Sequence, residues 1–360
     1  MSSRCSIVGQ LHEGRREVRI AIGIDSHKGS LAAAAVDELG RVRALTEVTN
    51  DPAGHRELLR WRASLAGEVH IGVECSGSFG NAAARMLVAA GEAVYEVPAN
   101  LSHREARRQN RGKSDPTDAV AIARVVARED ALPRPRINQR FEDLKLLSDH
   151  HDHLKRLRTQ LTNRIHKHLM IERPGYDRSL GSLTTEKAKK AILMMLRRDV
   201  SVRAALIKRN VRELRRLDAE MKELKADIRR AVAATGTSLT AQCGIGSVIA
   251  ARVLGEVGDV SNLRSKAAFA RLTGTAPLPA SSGRTLRHRL NRGGNRKLNH
   301  ALYFIAVTRC RLDDETKRFM ARKLSEGKSK KEAIRCLKRH LANVVYRTMV
   351  ADGRRLQEAA

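Results

Sequence analysis

Four acidic residues occupy places where carboxylates could act together in an otherwise basic chain. Asp25 and Glu74 each follow a short apolar run, and Asp115 and Asp118 are three residues apart on one face of a predicted helical turn. Carboxylates that converge repel each other unless cations lie between them, and hard oxygen ligands suit Mg²⁺ or Mn²⁺. Two such ions about 3.5–4 Å apart can stabilise the attacking and leaving oxygens of a phosphodiester.

Each carboxylate also has an ordinary structural explanation. Asp115 precedes a proline and is a good helix N-cap, which would place Asp118 at the third position of a capping box. Asp25 could simply end a strand, and Glu74 could pair with an arginine. In the order Asp, Glu, Asp-x-x-Asp, the four together favour a metal site with all of them as ligands.

Neighbouring residues are weaker candidates. His27 and Lys28 follow Asp25, and Lys28 could bind a phosphate or be a solvated lysine. The other metal-like group is a set of histidines at irregular positions on a predicted long helix, for which solvated or phosphate-facing side chains are favoured over a zinc site. These histidines are His150, His151, His153, His166 and His168.

A second kind of chemistry is indicated by a loop rich in Gly, Pro, Ser and Arg at 273–295. Ser281 and Ser282 precede Gly283, a sequence that is most often a turn. The dense cations around it favour phosphate chemistry instead, in which a serine nucleophile captures a DNA phosphate as an ester and guanidinium groups neutralise the developing charge. The candidate nucleic-acid contacts here are Arg284, Arg287, Arg289, Arg292, Arg296 and Lys297.

A glycine-rich turn precedes this loop. Gly244 and Gly246 lie before an alanine-rich helix, and a helix-hairpin-helix uses such a turn to present backbone N–H groups to a phosphate. An ordinary turn has the same sequence. If the turn belongs to a helix-hairpin-helix, Gly244 and Gly246 are nucleic-acid contacts, and we take them as candidates on that basis.

The elements that must position the acids read as α/β. Over 18–130, three strands in succession, a helix, and then alternating strands and helices predict a ribonuclease-H-like fold. A proline-rich linker at 133–135 follows. The predicted domains are a catalytic domain at 18–132, a helical coiled-coil arm at 138–235 and a mainly α domain at 236–352.

The arm is predicted from heptad spacing. Leu147, Leu154 and Leu161 recur every seven residues, and a second apolar series runs from Leu214 to Val232, with a polar, basic stretch at about 174–205 between them. An antiparallel coiled coil and two helices of a larger bundle are equally compatible with this pattern. Three further helices are predicted at about 296–311, 313–325 and 329–351.

Composition limits the partners. The chain has 69 Lys and Arg against 39 Asp and Glu, a formal net charge of +30, which on a folded protein favours nucleic acid. Aromatic residues make up 3%, too few for a base-stacking platform or a basic membrane-binding helix, so phosphate contacts are expected. Scattered cysteines and the lack of an apolar leader indicate a cytoplasmic, nucleoid-associated protein without membrane spans.

Two sets of motifs, in order, resemble one family, the DEDD transposases of bacterial insertion sequences, which include bridge-RNA-guided recombinases and pilin-gene invertases. The first set resembles the RuvC-like domain of that family and comprises residues 22–28, 71–77 and 113–119. The second set resembles the family's serine domain and comprises residues 244–247, 256–259, 282–283 and 293–298, with Ser247 where the family usually has proline.

The resemblance implies a division of roles. Asp25, Glu74, Asp115 and Asp118 would bind Mg²⁺, and Ser282 rather than Ser281 would be the nucleophile, because the family serine directly precedes the glycine. It further implies a tetramer (a homo-oligomer from dimer to tetramer is our expectation). It also implies a non-coding guide RNA that pairs with donor and target double-stranded DNA, and strand exchange through a Holliday junction.

The leading hypothesis is a transposase that joins element DNA to a target by serine-mediated, metal-assisted strand exchange. The first alternative is a RuvC-like, metal-dependent junction nuclease that hydrolyses DNA without a covalent intermediate. The second alternative is a nucleic-acid scaffold without catalytic activity.

Overall fold

A computed structural model describes residues 19–358 except 75, 109–114, 136, 280–287, 290 and 292. The chain forms two compact units, one extending to Ile137 and the other beginning at Asn138. The first contains a mixed sheet, and the second is mostly helical. A mixed α/β N-terminal part followed by a helical remainder was predicted from the sequence and is confirmed.

The sheet of the first unit has five strands in the order β3-β2-β1-β4-β5. Strands β1 and β2 and strands β2 and β3 are antiparallel, whereas β4 runs parallel to both β1 and β5. This arrangement is consistent with a ribonuclease-H-like domain, and it places the ends of β1 and β4 side by side. The strands are β1 (Ile20–Ser26), β2 (Ser30–Val36), β3 (Val42–Thr49), β4 (Val69–Val73) and β5 (Ala93–Glu96).

Four helices within the described part of this unit cover the sheet. The helix that begins at Pro52 is capped by Asp51, whose carboxylate accepts hydrogen bonds from the N–H groups of Ala53 and Gly54 at 2.8 and 2.9 Å. The third helix was not predicted from the sequence. The helices are α1 (Pro52–Ala63), α2 (Asn81–Ala89), α3 (Ala99–Arg108) and α4 (Asp115–Arg128).

Alternation along β1 assigns its side chains to two cores. Ile22 and Ile24 pack in the core on the face covered by α1 and α2, whereas Ala21 packs with α4 on the other face. Since side chains alternate across a strand, Gly23 and Asp25 lie on the α4 face. The sheet therefore directs Asp25 toward the helix that carries Asp115.

Two long helices, α5 (Gln139–Glu172) and α8 (Val202–Ala233), dominate the second unit. They are antiparallel, because Leu144 near the start of α5 shares a core with Ile228 near the end of α8. Arg158 of α5 donates from Nε to the Asp218 carboxylate of α8 at 2.6 Å.

The polar, basic stretch at 174–205 between these helices is itself partly helical. It contains α6 (Asp177–Leu180) and α7 (Glu186–Met195), which enclose an apolar core with the adjoining ends of the two long helices. Lys189 of α7 is almost fully buried and bonds to Glu186 and Asp218, so its charge is compensated there. A basic residue in this polar stretch therefore belongs to the interior of the unit.

The remaining elements pack against the other ends of the long helices. Their side chains and those of α5 and α8 form one core, so the described structure shows no gap between the predicted arm and the predicted C-terminal domain. The three-part division stays a prediction. The elements are α9 (Ser247–Val257), α10 (Lys266–Leu272), β6 (Leu278–Pro279), β7 (His288–Arg289), α11 (Arg296–Leu312), α12 (Asp314–Ser325) and α13 (Lys330–Glu358).

Within the described residues, every helix is too short or too polar to span a bilayer.

Candidate active site

Two glycines allow α4 to lie directly on the sheet. A Cβ at Gly23 would come within 2.2 Å of the Ala119 carbonyl oxygen, and one at Gly72 within 2.3 Å of a Val126 methyl group. Separations this short are impossible for a side chain, so only glycine permits the approach. The helix backbone is thereby held against β1, with its first turn near the end of that strand.

This packing brings Asp25 and Asp115 together across 90 positions of sequence. His27 Nε2 lies 3.3 Å from Asp25 Oδ2 and 3.3 Å from Asp115 Oδ1. One ligand atom from each of these three residues lies within 4.8 Å of the others, and in the described part of the chain they form the sole group of this kind. A single cation could contact all three.

Glu74 approaches the same region from β4. Its backbone N–H donates to the Ile24 carbonyl at 3.1 Å, which fixes the end of β4 beside the end of β1. Its carboxylate accepts a hydrogen bond from the buried hydroxyl of Ser102 on α3 at 2.7 Å. Glu74 and Asp118 are not members of the group that spans 4.8 Å.

The charges of the other three acids nevertheless act on Asp25. Burial raises the pKa of Asp25, His27 opposes this effect, and the charges of Glu74, Asp118 and Asp115 raise the pKa further. Its side chain is 15% exposed, against 50% for Asp115. Half-buried carboxylates that repel one another in this way provide the hard oxygen donors and the unbalanced negative charge that a divalent cation relieves. The cluster is therefore a candidate divalent-metal site.

The sequence pattern singled out the four acids, whose role as metal ligands stays a prediction, and it gave no indication of Ser102. A serine on a short amphipathic helix carries no signal in the sequence. His27 was only a weak candidate, although it lies between two of the carboxylates. Lys28 is exposed in the turn after β1.

Five of the predicted residues of the second unit lie outside the described residues. These are Ser281, Ser282, Arg284, Arg287 and Arg292. Arg289 lies on β7 and Arg296 begins α11, and both are exposed.

Lys297 has acidic neighbours within its own unit. Its ammonium bonds to Asp149 and lies 3.2 Å from Glu256 Oε1, and Lys145 bonds to the same two acids at 3.1 and 2.9 Å. Asn295 donates to Glu256 at 2.6 Å. Much of the Lys297 charge is therefore compensated, whereas Arg289 and Arg296 have no acidic partner among the residues that the structure describes.

The glycine turn before α9 has the backbone geometry that its sequence indicated. Gly244 has a φ of 82°, in the left-handed region, and a Cβ there would lie 3.1 Å from the Ile305 carbonyl oxygen. Gly246 is the N-cap of α9 and, having no side chain, leaves the first N–H groups of the helix without a side-chain acceptor.

Comparisons with known proteins place both halves of the chain. Residues 22–174, which include Asp25, Glu74, Asp115 and Asp118, match the DEDD transposases of IS110 type. Residues 237–321, which include Ser281 and Ser282, match the transposases of the IS116/IS110/IS902 family.

Individual relatives agree. The chain is 27% identical to the 44.8 kDa protein of insertion element IS116 from Streptomyces clavuligerus, over 94% of this chain and 96% of that one. It is 24% identical to the 42 kDa protein of insertion element IS900 from Mycobacterium paratuberculosis, over 90% and 94% of the two chains. A 32% identical match to the 43.6 kDa protein of insertion element IS110 from Streptomyces coelicolor covers 32% of this chain. The chain therefore belongs to the IS116/IS110/IS902 family of DEDD transposases, and it is an enzyme of the DNA transposase class.

Proposed function

We propose that this transposase cuts and rejoins DNA strands with a serine nucleophile, assisted by divalent ions that Asp25, Glu74, Asp115 and Asp118 hold. The observation that carries the proposal is the convergence of Asp25 and Asp115 on one point, 3.3 Å from a shared histidine nitrogen, in a chain whose net charge is +30. Mutual repulsion among the acids supports a cation at this point.

The residues of the cluster would act as oxygen ligands and hold their positions through the sheet. Asp25 is fixed by β1, and Glu74 is oriented by the Ser102 hydroxyl. Mg²⁺, or Mn²⁺ in its place, would supply Lewis-acid stabilisation of the phosphate oxygens when bound. Asp118 lies one turn along α4 from Asp115 and has to turn toward the cluster to contribute.

The covalent step is assigned to Ser282, with Ser281 as its alternative. The Ser282 hydroxyl oxygen would attack phosphorus and lose its proton, a serine–phosphate ester would form, and the leaving DNA oxygen would take up a proton as a free hydroxyl. Attack by the hydroxyl of another strand then re-forms a phosphodiester and releases the serine. An ester intermediate preserves the bond energy that hydrolysis would dissipate, so cleavage can become exchange.

Other parts of the chain would hold the polynucleotides by their phosphates. The exposed Arg289 and Arg296, the turn lysine Lys28 and the N–H groups after Gly246, which lack a capping side chain, are suited to this role. Lys297 has less free charge to contribute. We include Gly244 because its positive φ sets the turn that presents those N–H groups.

The proposal includes a non-coding guide RNA and a homo-oligomer, up to a tetramer. Both come from the resemblance of the two motif sets to bridge-RNA-guided recombinases. The 3% aromatic content supports RNA guidance indirectly, because a protein with few stacking residues would leave sequence recognition to base pairing.

A covalent adduct tests the serine. The purified protein is incubated with Mg²⁺, with RNA transcribed from the DNA that flanks its gene, and with labelled duplexes of the element ends and a target, and adducts are resolved under denaturing conditions. We expect adducts with the unsubstituted chain and with the matched control Ser281→Ala, and none with Ser282→Ala. Adducts that persist in Ser282→Ala but vanish in Ser281→Ala would move the role to Ser281.

The first unit alone favours a second candidate, a metal-dependent junction nuclease of RuvC type. The acidic cluster lies within a unit that has its own cores, and hydrolysis would need no serine. Cleavage of a four-way junction by Ser282→Ala at the unsubstituted rate, with free ends and no rejoining, would favour this candidate. A non-catalytic scaffold would be favoured instead if Asp25→Ala retained full transposition.

A further inference from the structure

A basic cavity lies in the second unit, apart from the residues discussed as ligands or nucleophile. Its volume is about 640 Å³, and its walls come from residues 274–277, β7, α12, the turn at 327–328 and α13. The cations that line it are Arg289, Lys323, Lys328, Arg335, Lys338 and Arg339, together with the histidines His288 and His340.

Lys338 distinguishes this cavity from a general basic surface. The residue is only 7% exposed, yet no described carboxylate lies within 4.0 Å of its ammonium group. Among the described residues, its one hydrogen-bond acceptor is neutral, the Asn299 side-chain oxygen at 2.7 Å. It also borders a second cavity of about 410 Å³. An ammonium group carries three protons, so two remain for a ligand.

The position of Asn299 is fixed by the backbone. Its amide group donates to the carbonyl oxygens of Thr273 and Gly274 at 2.8 and 3.2 Å, which leaves the side-chain oxygen to face Lys338. Gly274 has a φ of 64°, and a Cβ at Gly294 would lie 2.2 Å from the Gly274 nitrogen. The close contact between Gly274 and Gly294 thus fixes the backbone that holds Asn299 beside Lys338.

The other cations differ in how far they are compensated. Lys323 and Lys328 both bond to Glu326, at 2.9 and 2.8 Å. Arg335 lies 3.7 Å from Glu332, whereas the hydrogen bond that the described structure shows for Arg339 goes to the neutral Asn343. The cavity, which Arg289 and Lys338 also line, therefore retains positive charge that its own acids do not balance.

Burial is unfavourable for an unpaired ammonium group, and Arg335 adds repulsion, so the pKa of Lys338 is lowered. A chain that keeps a buried cation without an acid gains stability when an anion binds there. Phosphate has the negative charge that this cavity needs, and its oxygens can accept hydrogen bonds from the two remaining N–H groups of the ammonium group.

We propose that the Lys338 cavity binds a backbone phosphate of the DNA strand. DNA is favoured as the source because β7 and Pro277 line the cavity, and in sequence they flank the segment that carries Ser282. A phosphate held by Lys338 would be a positioning contact, distinct from the phosphate that reacts. The choice of DNA rests on the proposed function.

The test measures affinity for a labelled DNA duplex as a function of salt, without divalent ions so that no cleavage occurs. Each phosphate contact contributes about −0.9 to the slope of log K against log salt on duplex DNA. We expect Lys338→Met and Lys338→Gln each to make that slope shallower by about 0.9 and to weaken binding about ten-fold at low salt. The Gln variant keeps a donor for Asn299, so it separates loss of charge from loss of the hydrogen bond.

Controls distinguish this site from other sources of the same effect. Lys317→Met on α12 removes an exposed lysine that bonds to Asp314 at 2.8 Å and does not line the cavity, so its slope should match the unsubstituted chain. Ser282→Ala should also keep the full slope, so failure of the serine mechanism leaves this test intact. The thermal unfolding midpoint of Lys338→Gln should not fall, because this variant removes a buried charge that lacks an acid and keeps a donor for Asn299.

Three results would overturn the proposal. The first is an unchanged slope on DNA in both Lys338 variants. The second is a slope that the Lys338 variants make shallower for an RNA duplex of the same sequence but leave unchanged for the DNA duplex. This would assign the cavity to RNA. The third is a loss of stabilisation by inorganic phosphate in Lys338→Gln with an unchanged DNA slope, which would assign it to a free anion.

Discussion

The acidic cluster of the first unit and the basic cavity of the second unit are opposite solutions to one physical problem. In the cluster, Asp25 and Asp115 approach one histidine nitrogen at 3.3 Å, and the surrounding acids repel. In the cavity, a buried ammonium group has a neutral amide as its partner. Each site keeps like charge together at some cost to stability, which a ligand of opposite charge would remove.

Both sites are also built by glycines that allow backbones to touch. Gly23 lets α4 rest on β1, and Gly294 packs on Gly274 beside Asn299. The difference is in what the glycines position. In the first unit they align whole elements and so bring together acids from three segments, whereas in the second they fix one amide that holds one lysine. The acidic cluster should therefore be the more sensitive to backbone changes.

The largest effect is expected for Gly23→Ala. The new Cβ would overlap backbone atoms of α4 at 2.2 Å, which cannot move without displacing the helix. We expect the free energy of unfolding of the first unit to fall by about 3 kcal/mol and DNA cleavage to be lost. Denaturant unfolding monitored by circular dichroism measures the change in the free energy of unfolding. Gly29→Ala is the matched control, because its Cβ would meet nothing within 4 Å. Equal stability of the two variants would contradict the assigned role of the helix contact.

Asp25→Asn should separate stability from activity. The raised pKa of Asp25 means that the folded state holds its proton more tightly than the unfolded chain, so ionisation destabilises the fold as pH rises above about 4. Without divalent ions, the variant should be the more stable chain at pH 7 and equal to the unsubstituted chain near pH 3. At about 100 times its Kd, Mg²⁺ should stabilise only the unsubstituted chain, by about 2.7 kcal/mol.

Thermal melts at several pH values, with and without Mg²⁺, provide the measurement. Asp130→Asn, in the same unit but after the end of α4, serves as the control and should respond to Mg²⁺ like the unsubstituted chain. A Mg²⁺ effect that survives Asp25→Asn would remove Asp25 from the ligand set.

Sequence patterns predicted the first unit better than the second for a physical reason. Asp25 is the next-to-last residue of β1 and Glu74 directly follows β4, and two-residue alternation determines the face on which Asp25 lies, so local rules were sufficient to place these acids. The bonds from Ser102 to Glu74 and from Lys338 to Asn299 join residues 28 and 39 positions apart on different elements. No local rule encodes such pairs, and the inward direction of Lys189 was hidden for the same reason.

Ser102→Ala sharpens the comparison from the acidic side. Loss of the 2.7 Å hydrogen bond would leave the Glu74 carboxylate free to rotate, without changing the charge of the cluster. We expect metal affinity to fall about ten-fold, in the range found for partners that orient ligands. Mn²⁺ binding measured by electron paramagnetic resonance detects this independently of cleavage. Ser102→Thr retains the hydroxyl and should restore affinity, whereas a purely structural role would give an unchanged Mn²⁺ affinity in both variants.

The smallest effect is expected on the basic side, for the pH dependence of Lys338→Gln. A lowered pKa means that the folded state releases the Lys338 proton before the unfolded chain does. The charged lysine therefore destabilises the fold at neutral pH, and this destabilisation disappears as pH rises toward the ordinary lysine pKa of about 10.4. The glutamine variant should be more stable at pH 7 by about 1 kcal/mol or less, and the difference should close by about pH 10. When both chains are unfolded in parallel, the contributions of the groups that titrate in both chains cancel in the difference between their free energies of unfolding. A variant that is less stable at pH 7 would mean that the neutral amide already satisfies the ammonium group, and the analogy between the two charge clusters would then fail.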